Sequence, residues 1–188
     1  MNDKILKLIK YIVCYANEHD MSLTTLRLVK FIYLADLYHA RFNAGETITQ
    51  FPWAFVNYGP YCQGVMKSID DAVLKGFVNR KTLESNFSEK DYHSFSCYDD
   101  CYSEIRKEFQ ISVISELQYA IRKYGGDTAQ LLDYVYFNTE PMENAKKGDH
   151  LDFSRAEQPK PIASIETKKL AKKDIETVLA QKYIEEDA

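Results

Sequence analysis

An aspartate and a histidine, Asp36 and His39, stand three residues apart in an otherwise apolar segment of this 188-residue chain. On a helix, this spacing lets both side chains meet on one face. A carboxylate beside an imidazole orients its tautomer and raises its basicity, as a general base or a metal ligand requires. No third ligand or nucleophile accompanies the pair at a recognisable spacing. The sequence therefore favours a structural role, in which both side chains satisfy buried polar groups.

A metal site is conceivable further along, because His93, Cys97 and Cys101 follow one another at four-residue intervals and His150 lies downstream. The paired two-residue gap of common zinc modules is missing, so the pattern does not favour zinc. The chain has four cysteines, which are too few and too scattered to form a disulfide framework. We expect reduced, half-buried thiols, and neither a metal nor another cofactor.

Other catalytic signatures are also missing. Ser112 and Ser115 do not lie in a strained strand-to-helix elbow. The glycines are too sparse for a loop that cradles phosphate: Gly59, Gly64 and the pair Gly125-Gly126 make no Gly-rich fingerprint. The sequence predicts no catalytic residues, and we expect a protein that is not an enzyme.

Composition restricts the possible partners. With 45% hydrophobic residues the chain can bury one core, and its formal net charge of −4 provides no general attraction for nucleic acid. No window is apolar for long enough to span a bilayer, and the first ten residues carry Asp3, Lys4, Lys7 and Lys10. We expect a cytoplasmic protein without a membrane partner.

Apolar residues recur at three- and four-residue intervals through most of the chain, a spacing that predicts amphipathic helices. The second helix is apolar nearly all round and is therefore expected at the centre. The predicted helices cover residues 2–18, 22–41, 61–75, 105–124 and about 127–137. We predict a mainly α fold, a compact helical bundle with a small β-hairpin insertion.

The segments between these helices carry turn signals. Pro52 fits the first turn of a short helix that would carry Trp53, Phe55 and Val56. Tyr58-Gly59-Pro60 predicts a tight turn, and Gly76 ends the following helix. Residues 77–83 and 92–98 are typical of two strands around a polar turn. A helix followed by such a hairpin has a winged-helix-like outline.

Domain organisation follows from a change in composition after Phe153. Residues 154–163 include two prolines, which resist helix formation and indicate a linker. Beyond them, apolar residues alternate with lysines and then acidic residues. The chain therefore divides into a helical domain, residues 1–153, and a proline-containing linker with a charged helix, residues 154–188.

Aromatic residues suggest how the protein could bind a partner. The chain has 14 tyrosines, and tyrosine is enriched at the anchoring points of protein interfaces. The candidate partner-binding residues are Tyr58, Tyr61, Tyr134, Tyr136 and Phe137.

The alternative is direct DNA binding, with helix 61–75 in the major groove and Arg80 and Lys81 on the wing. On that helix, two aspartates cancel the charges of two lysines, so its reading face is neutral and the expected affinity for DNA is low.

The run Leu26-Arg27-Leu28-Val29-Lys30-Phe31-Ile32-Tyr33-Leu34-Ala35-Asp36, with His39 and the later Tyr58-Gly59-Pro60, resembles the Panacea domain of SocA-like antitoxins. Gly76-Phe77-Val78 and the downstream Leu151-Asp152-Phe153 are similar to further parts of that domain. The resemblance covers about Lys4 to Phe153. Within it, Tyr33, Asp36, His39, Gly59 and Pro60 are structural motif residues.

This resemblance implies a bacterial or phage antitoxin that neutralises a toxin encoded beside it by direct binding. It also implies a second partner, because SocA itself delivers its toxin to the ClpXP protease. The family has no agreed catalytic residues to carry over to this chain. It does not name the toxin, since the domain is associated with many unrelated ones.

Overall fold

The structure is a computed structural model that describes residues 3–84, 91–97, 102–156, 169–170 and 172–177. Most of these residues are helical, as the sequence predicts. The α-helices are α1 Asp3–Glu18, α2 Thr25–Phe42, α3 Gln63–Leu74, α4 Tyr102–Arg106, α5 Ile111–Tyr124 and α6 Thr128–Phe137. The strands are β1 Leu23–Thr24, β2 Ala54–Val56, β3 Gly59–Tyr61, β4 Asn79–Leu83 and β5 Tyr92–Ser96. Short 3₁₀ turns follow at Glu140–Met142 and Phe153–Arg155.

Helix α2 lies at the centre of the molecule, with α1, α3, α5 and α6 packed against it. Every residue from Leu28 to Tyr38 is buried, because the helix is apolar nearly all round and neighbours cover each side. Despite this apolar surface, none of the described helices has the length and hydrophobicity needed to cross a membrane. Helix α2 is buried because the surrounding helices cover it.

The predicted hairpin is present as β4 and β5, which pair antiparallel with Arg80 opposite Phe95. The short strand β1 pairs with the other edge of β5, so the sheet order is β1-β5-β4. Phe95 and Leu23 are buried and attach this sheet to the helical core. The mainly α architecture with a small β element is therefore confirmed.

A second hairpin, β2 and β3, replaces the short helix predicted after Pro52. Phe55 lies opposite Pro60 in this pair, yet the proline costs no ladder hydrogen bond. The reason is that Phe55 directs its backbone groups to the other side, donating to Asp149 O at 2.9 Å and accepting from Gly148 N at 2.7 Å. Pro60 lies within β3. The prediction of a short helix after Pro52 was wrong, because Phe55 and Val56 lie in β2.

The predicted long helix 105–124 is two helices, α4 and α5, separated by an extended Gln110. The side-chain amides of Gln110 and Asn43 hold this break through two reciprocal hydrogen bonds of 3.0 and 3.1 Å. Asn43 caps the carboxyl end of α2. The interruption therefore places the start of α5 beside the carboxyl end of the central helix.

The predicted linker and charged helix are described only in part. Both prolines of the predicted linker lie outside the described residues, as do residues 178–188. Residues 169–170 and 172–177 are helical, and we call them the tail segment. Within it, Leu170 and Ile175 are partly buried against the core. The tail segment therefore lies on the helical domain.

A disulfide joins Cys14 of α1 to Cys97, which follows β5. The expectation of reduced thiols is wrong for these two residues, while Cys62 is a buried free cysteine. Cys14 and Cys97 are 83 residues apart in the chain, too far for their spacing to predict the pair. Packing of the sheet against α1 brings them together, with Asn17 Oδ1 accepting a 2.7 Å hydrogen bond from Cys97 N.

We predict that reduction destabilises the protein through this one bond. Closing a loop of this length restricts the unfolded chain, so dithiothreitol should lower the free energy of unfolding by about 2–4 kcal/mol. Urea denaturation followed by circular dichroism measures the change. The control variant Cys62→Ser should retain the response to dithiothreitol. A response of the same size in Cys14→Ser would show that the bond is not its source.

Candidate partner-binding site

Polar side chains recur at every third position along the buried helix α2: Arg27, Lys30, Tyr33, Asp36 and His39. Three residues turn an α-helix by about 300°, so successive members are rotated by roughly 60° and fan around the axis. Each one reaches a different part of the chain. The backbone of α2 is already hydrogen-bonded within the helix, so these side chains must find partners elsewhere.

Asp36 is fully buried and holds the loop that follows α2. Its carboxylate accepts hydrogen bonds from Thr49 N at 2.9 Å, from the Thr49 hydroxyl, and from Trp53 Nε1 at 2.7 Å. Burial raises the pKa of Asp36 to about 6, an effect that these donors oppose. Asp36 is therefore ionised at neutral pH and is satisfied by donors alone.

His39 does not join Asp36. Its Nδ1 lies 2.9 Å from Glu46 O, further along the loop, and no hydrogen bond between the two side chains is found among the described residues. The two residues thus hold successive parts of one loop. The geometry of a paired general base, in which the carboxylate orients the imidazole, is not assembled here.

Tyr33 and Arg41 hold the segment after α6. The Tyr33 hydroxyl donates to Thr139 Oγ1 at 2.9 Å, and Thr139 in turn donates to Val135 O at 2.5 Å. Arg41 binds both carboxylate oxygens of the buried Glu140, at 3.0 and 2.8 Å. These contacts fix the carboxyl end of α6, which carries three of the five predicted partner-binding aromatics.

Lys30 is the unusual member of the series, because its side chain is only 2% exposed. Its Nζ donates to Pro60 O at 2.8 Å, which ties the β2–β3 hairpin to α2. Burial lowers the pKa of Lys30 to about 7, and the charge of Asp174 opposes that shift. Among the described residues, no carboxylate lies within 4 Å of the ammonium group.

Asp174, in the tail segment, contacts the β2–β3 hairpin from the outside and is 8% exposed. Its Oδ2 accepts hydrogen bonds from the Tyr136 hydroxyl and, at 3.2 Å, from Tyr58 N. Burial and the hydrogen bond to Asp174 both raise the pKa of Tyr136, so its hydroxyl stays protonated and donates. The donors come from α6 and from the turn of the hairpin.

The Tyr-Gly-Pro motif forms the turn of the hairpin to which Asp174 binds. Tyr58 and Gly59 both have positive φ, 62° and 86°, which turn the chain between β2 and β3. A Cβ on Gly59 would lie 3.4 Å from the Tyr136 ring, in van der Waals contact with it. Glycine therefore combines the turn with the close approach of Tyr136, and Pro60 provides the carbonyl for Lys30.

The outer face of the β2–β3 hairpin is apolar and exposed. The pairing register places Phe55 and Pro60 on the inner face, and both are buried. Val56 and Tyr61 lie on the outer face and are 36% and 39% exposed. Tyr58, at the turn, is 37% exposed. We call these three residues the hairpin patch; it borders the position of Asp174.

The five predicted partner-binding aromatics do not form one surface. Tyr58 and Tyr136 meet at Asp174, but Tyr136 is itself buried. Tyr61 lies on the outer face of the hairpin. Tyr134 stacks on Tyr124 and accepts a hydrogen bond from the Tyr38 hydroxyl, and Phe137 is partly buried against the core. The predicted surface is therefore reduced to the hairpin, with Tyr136 beneath it.

Sequence reasoning missed Lys30 and Asp174. A lysine inside the apolar run Leu28-Val29-Lys30-Phe31-Ile32 was a usable signal, because a charged side chain there must be buried with a partner. Nothing local marks Asp174, which is one of many charged residues in its segment.

The described residues do not form the metal site that the spacing of His93, Cys97 and Cys101 made conceivable. Cys97 is in the disulfide, and His93 Nδ1 lies 3.2 Å from Thr82 Oγ1. Cys101 lies outside the described residues. Within the part of the chain that is described, no group of three or more His, Cys, Asp or Glu side chains could hold a metal ion.

No family model, curated protein or solved structure matches this chain.

We predict that Asp36→Asn lowers the free energy of unfolding by about 2 kcal/mol, because one buried donor loses its acceptor. In either orientation, the asparagine amide group faces Thr49 N or Trp53 Nε1, and both of these only donate. Urea denaturation at pH 7 measures the loss. The control His39→Ala, at a partly exposed position, should cost less than about 1 kcal/mol. Equal losses in the two variants would contradict this division of roles.

Proposed function

We propose that this chain is a protein-binding antitoxin of the Panacea type, which neutralises a cognate toxin by direct contact. The family pattern supports this assignment, and one structural observation supports the binding of a protein partner. The Tyr58-Gly59-Pro60 motif builds a hairpin with an exposed apolar outer face. Exposed apolar residues that lie together mark interaction surfaces, and tyrosine is favoured at their anchoring points.

The hairpin patch suits a protein partner because its backbone is held from three sides. Lys30 binds strand β3, residues 148–151 bind strand β2, and Asp174 binds the turn between the two strands. A rigid site loses little conformational freedom on binding. We therefore place the toxin on the outer face, over Val56, Tyr58 and Tyr61.

The same proposal includes a place of action and a second partner. We place the protein in the cytoplasm, as the resemblance implies, although the disulfide between Cys14 and Cys97 is more typical of an oxidising compartment. Delivery of the bound toxin to a ClpXP-type protease is the route that the resemblance implies. An enzymatic role has no support from Asp36 and His39, which do not meet and which hold one loop.

We predict that Tyr61→Ala weakens binding to the product of the adjacent gene by at least about tenfold, as expected when an interface anchor is lost. Co-expression of the two genes, followed by growth assays and copurification, measures the effect. Tyr119→Ala is the matched control, because Tyr119 is 56% exposed on α5, outside the hairpin. Neither tyrosine is buried, so both variants should remain folded.

Two results would overturn the antitoxin proposal. In the first, no adjacent gene product is toxic when expressed alone. In the second, a toxic product neither copurifies with the wild-type chain nor is neutralised by it. Equal binding by Tyr61→Ala and the wild type would reject the hairpin patch as the surface while leaving the antitoxin role in place.

A second candidate function is a winged-helix-like DNA-binding regulator. The element order α1-β1-α2-β2-β3-α3-β4-β5, with sheet order β1-β5-β4, supports a winged-helix-like arrangement that has the β2–β3 hairpin inserted before α3 and in which α3 would enter the major groove. The charges oppose this function. Arg80 on β4 binds Asp70 of α3 at 2.5 Å, so the charge closest to the proposed reading helix is neutralised.

Promoter DNA separates the two functions. An electrophoretic shift of the chain's own promoter that weakens as salt increases, and that Arg80→Ala and Lys81→Ala reduce, would favour the regulator. The absence of a shift even at low salt would remove it.

A further inference from the structure

The Tyr136 hydroxyl and the Tyr58 N–H converge on one carboxylate, and the buried Lys30 binds the neighbouring Pro60 carbonyl; all three groups belong to the helical domain. Tyr136 contributes a hydroxyl, Tyr58 a backbone N–H, and Lys30 a buried amine. We call these three groups the carboxylate receptor. In the free chain, Asp174 of the tail segment occupies it.

The receptor favours an anion because the Tyr136 hydroxyl and the Tyr58 N–H both donate to one carboxylate oxygen, and the amine of Lys30 is buried beside the hairpin that carries Tyr58. Lys30 donates to one backbone carbonyl, and no described carboxylate forms an ion pair with its ammonium group. A carboxylate near a buried lysine favours its ammonium form over the neutral amine. Asp174 is the acidic group that acts electrostatically on Lys30. Without it, the Tyr136 hydroxyl and the Tyr58 N–H would lose their acceptor.

The occupant is held by a small contact. Leu170 and Asp174 are four residues apart and so share one face of a helix, and Ile175 is adjacent. Leu170 and Ile175 are only partly buried against the core. The side chains of Lys172 and Glu176 are 79% and 64% exposed. The tail segment thus contributes one buried carboxylate and two partly buried apolar side chains.

The tail segment lies where a partner of the hairpin patch would bind. Tyr58 belongs to both sites, because its N–H binds Asp174 while it is one of the exposed residues of the patch. A partner that covers the patch can therefore extend into the receptor. To do so it must supply its own carboxylate and displace that of Asp174.

We infer that the carboxylate receptor is a binding site for a helical segment of the partner that carries an aspartate, and that the tail segment occupies it in the free chain. This inference rests on the proposed antitoxin function. The segment that fits has the pattern of the tail segment itself: an apolar residue, then four positions later an aspartate followed by an aliphatic residue. The tail segment is an intramolecular competitor at high effective concentration, so binding is restricted to partners that also engage the hairpin patch.

The test uses the full chain and a synthetic peptide with the sequence of residues 169–177, Lys-Leu-Ala-Lys-Lys-Asp-Ile-Glu-Thr. A second peptide carries asparagine in place of the aspartate. ¹⁵N NMR titration monitors the amides of Tyr58 and Gly59 in the wild-type chain and in Asp174→Asn. Asp174→Asn removes the charge of the competitor and leaves every group of the receptor in place.

We expect the aspartate peptide to bind Asp174→Asn at least about tenfold more tightly than it binds the wild type, because the intramolecular competitor is weakened. In that variant, the asparagine peptide should bind at least about tenfold more weakly than the aspartate peptide. Adding Tyr136→Phe, which removes one oxygen atom, should abolish most of this preference. Tyr134→Phe is the matched control on α6 and should preserve it, since Tyr134 faces Tyr38 and Tyr124.

Equal affinity of wild type and Asp174→Asn for the aspartate peptide would overturn the inference, as would equal affinity of Asp174→Asn for the two peptides. The adjacent gene product separates this inference from the antitoxin proposal. If Tyr136→Phe binds and neutralises a toxic adjacent product as well as the wild type does, the receptor inference fails and the antitoxin role stands. If the peptide results hold but no adjacent product is toxic, the receptor stands and the antitoxin role fails.

Discussion

The buried polar side chains on α2 must be satisfied from outside the helix, because the backbone of α2 has no free groups to offer in its middle turns and water is excluded there. This constraint organises the molecule. Asp36 holds the loop after α2, Tyr33 holds the segment after α6, and Arg27 donates to Thr128 Oγ1 at 2.8 Å at the start of α6. Lys30 holds the β2–β3 hairpin. The central helix thus provides apolar area for the core and also sets the position of the surrounding loops.

Among these contacts, that of Lys30 connects the fold to function. The other charges on α2 that are wholly or partly buried are satisfied by residues of the helical domain: the buried Asp36 by Thr49 and Trp53, and the partly buried Arg41 by Glu140. The charge of Lys30 has its acidic counterpart in the tail segment, at Asp174. Among its described residues, the helical domain by itself therefore lacks an acidic group near Lys30. The position that Asp174 fills lies beside the exposed hairpin patch, where a partner is expected to bind.

Sequence patterns predicted much of the fold and little of the site. The hydrophobic period identified α1, α2, α3 and α6, and the change of period identified β4 and β5. The failures lie where distant residues decide local structure. Pro60 belongs to a strand because Phe55 bonds to residues 148 and 149, and α4 separates from α5 at Gln110, whose side chain pairs with Asn43. Cys14 and Cys97 meet for the same reason, since the sheet packs on α1. Asp36 and His39 share a helix face by spacing, but their partners in the following loop could not be inferred from that spacing.

The charge state of Lys30 tests the central claim most directly. NMR titration of the Lys30 side chain, isotopically labelled at lysine, measures its pKa in the folded wild type and in Asp174→Asn. The account predicts a pKa of about 7 in the wild type, far below the ordinary 10.5, because the ammonium group is buried. It predicts a still lower pKa in Asp174→Asn, because the nearby negative charge that favours the ammonium form is gone. A pKa near 10.5 in the wild type, or one that does not respond to Asp174→Asn, would contradict it.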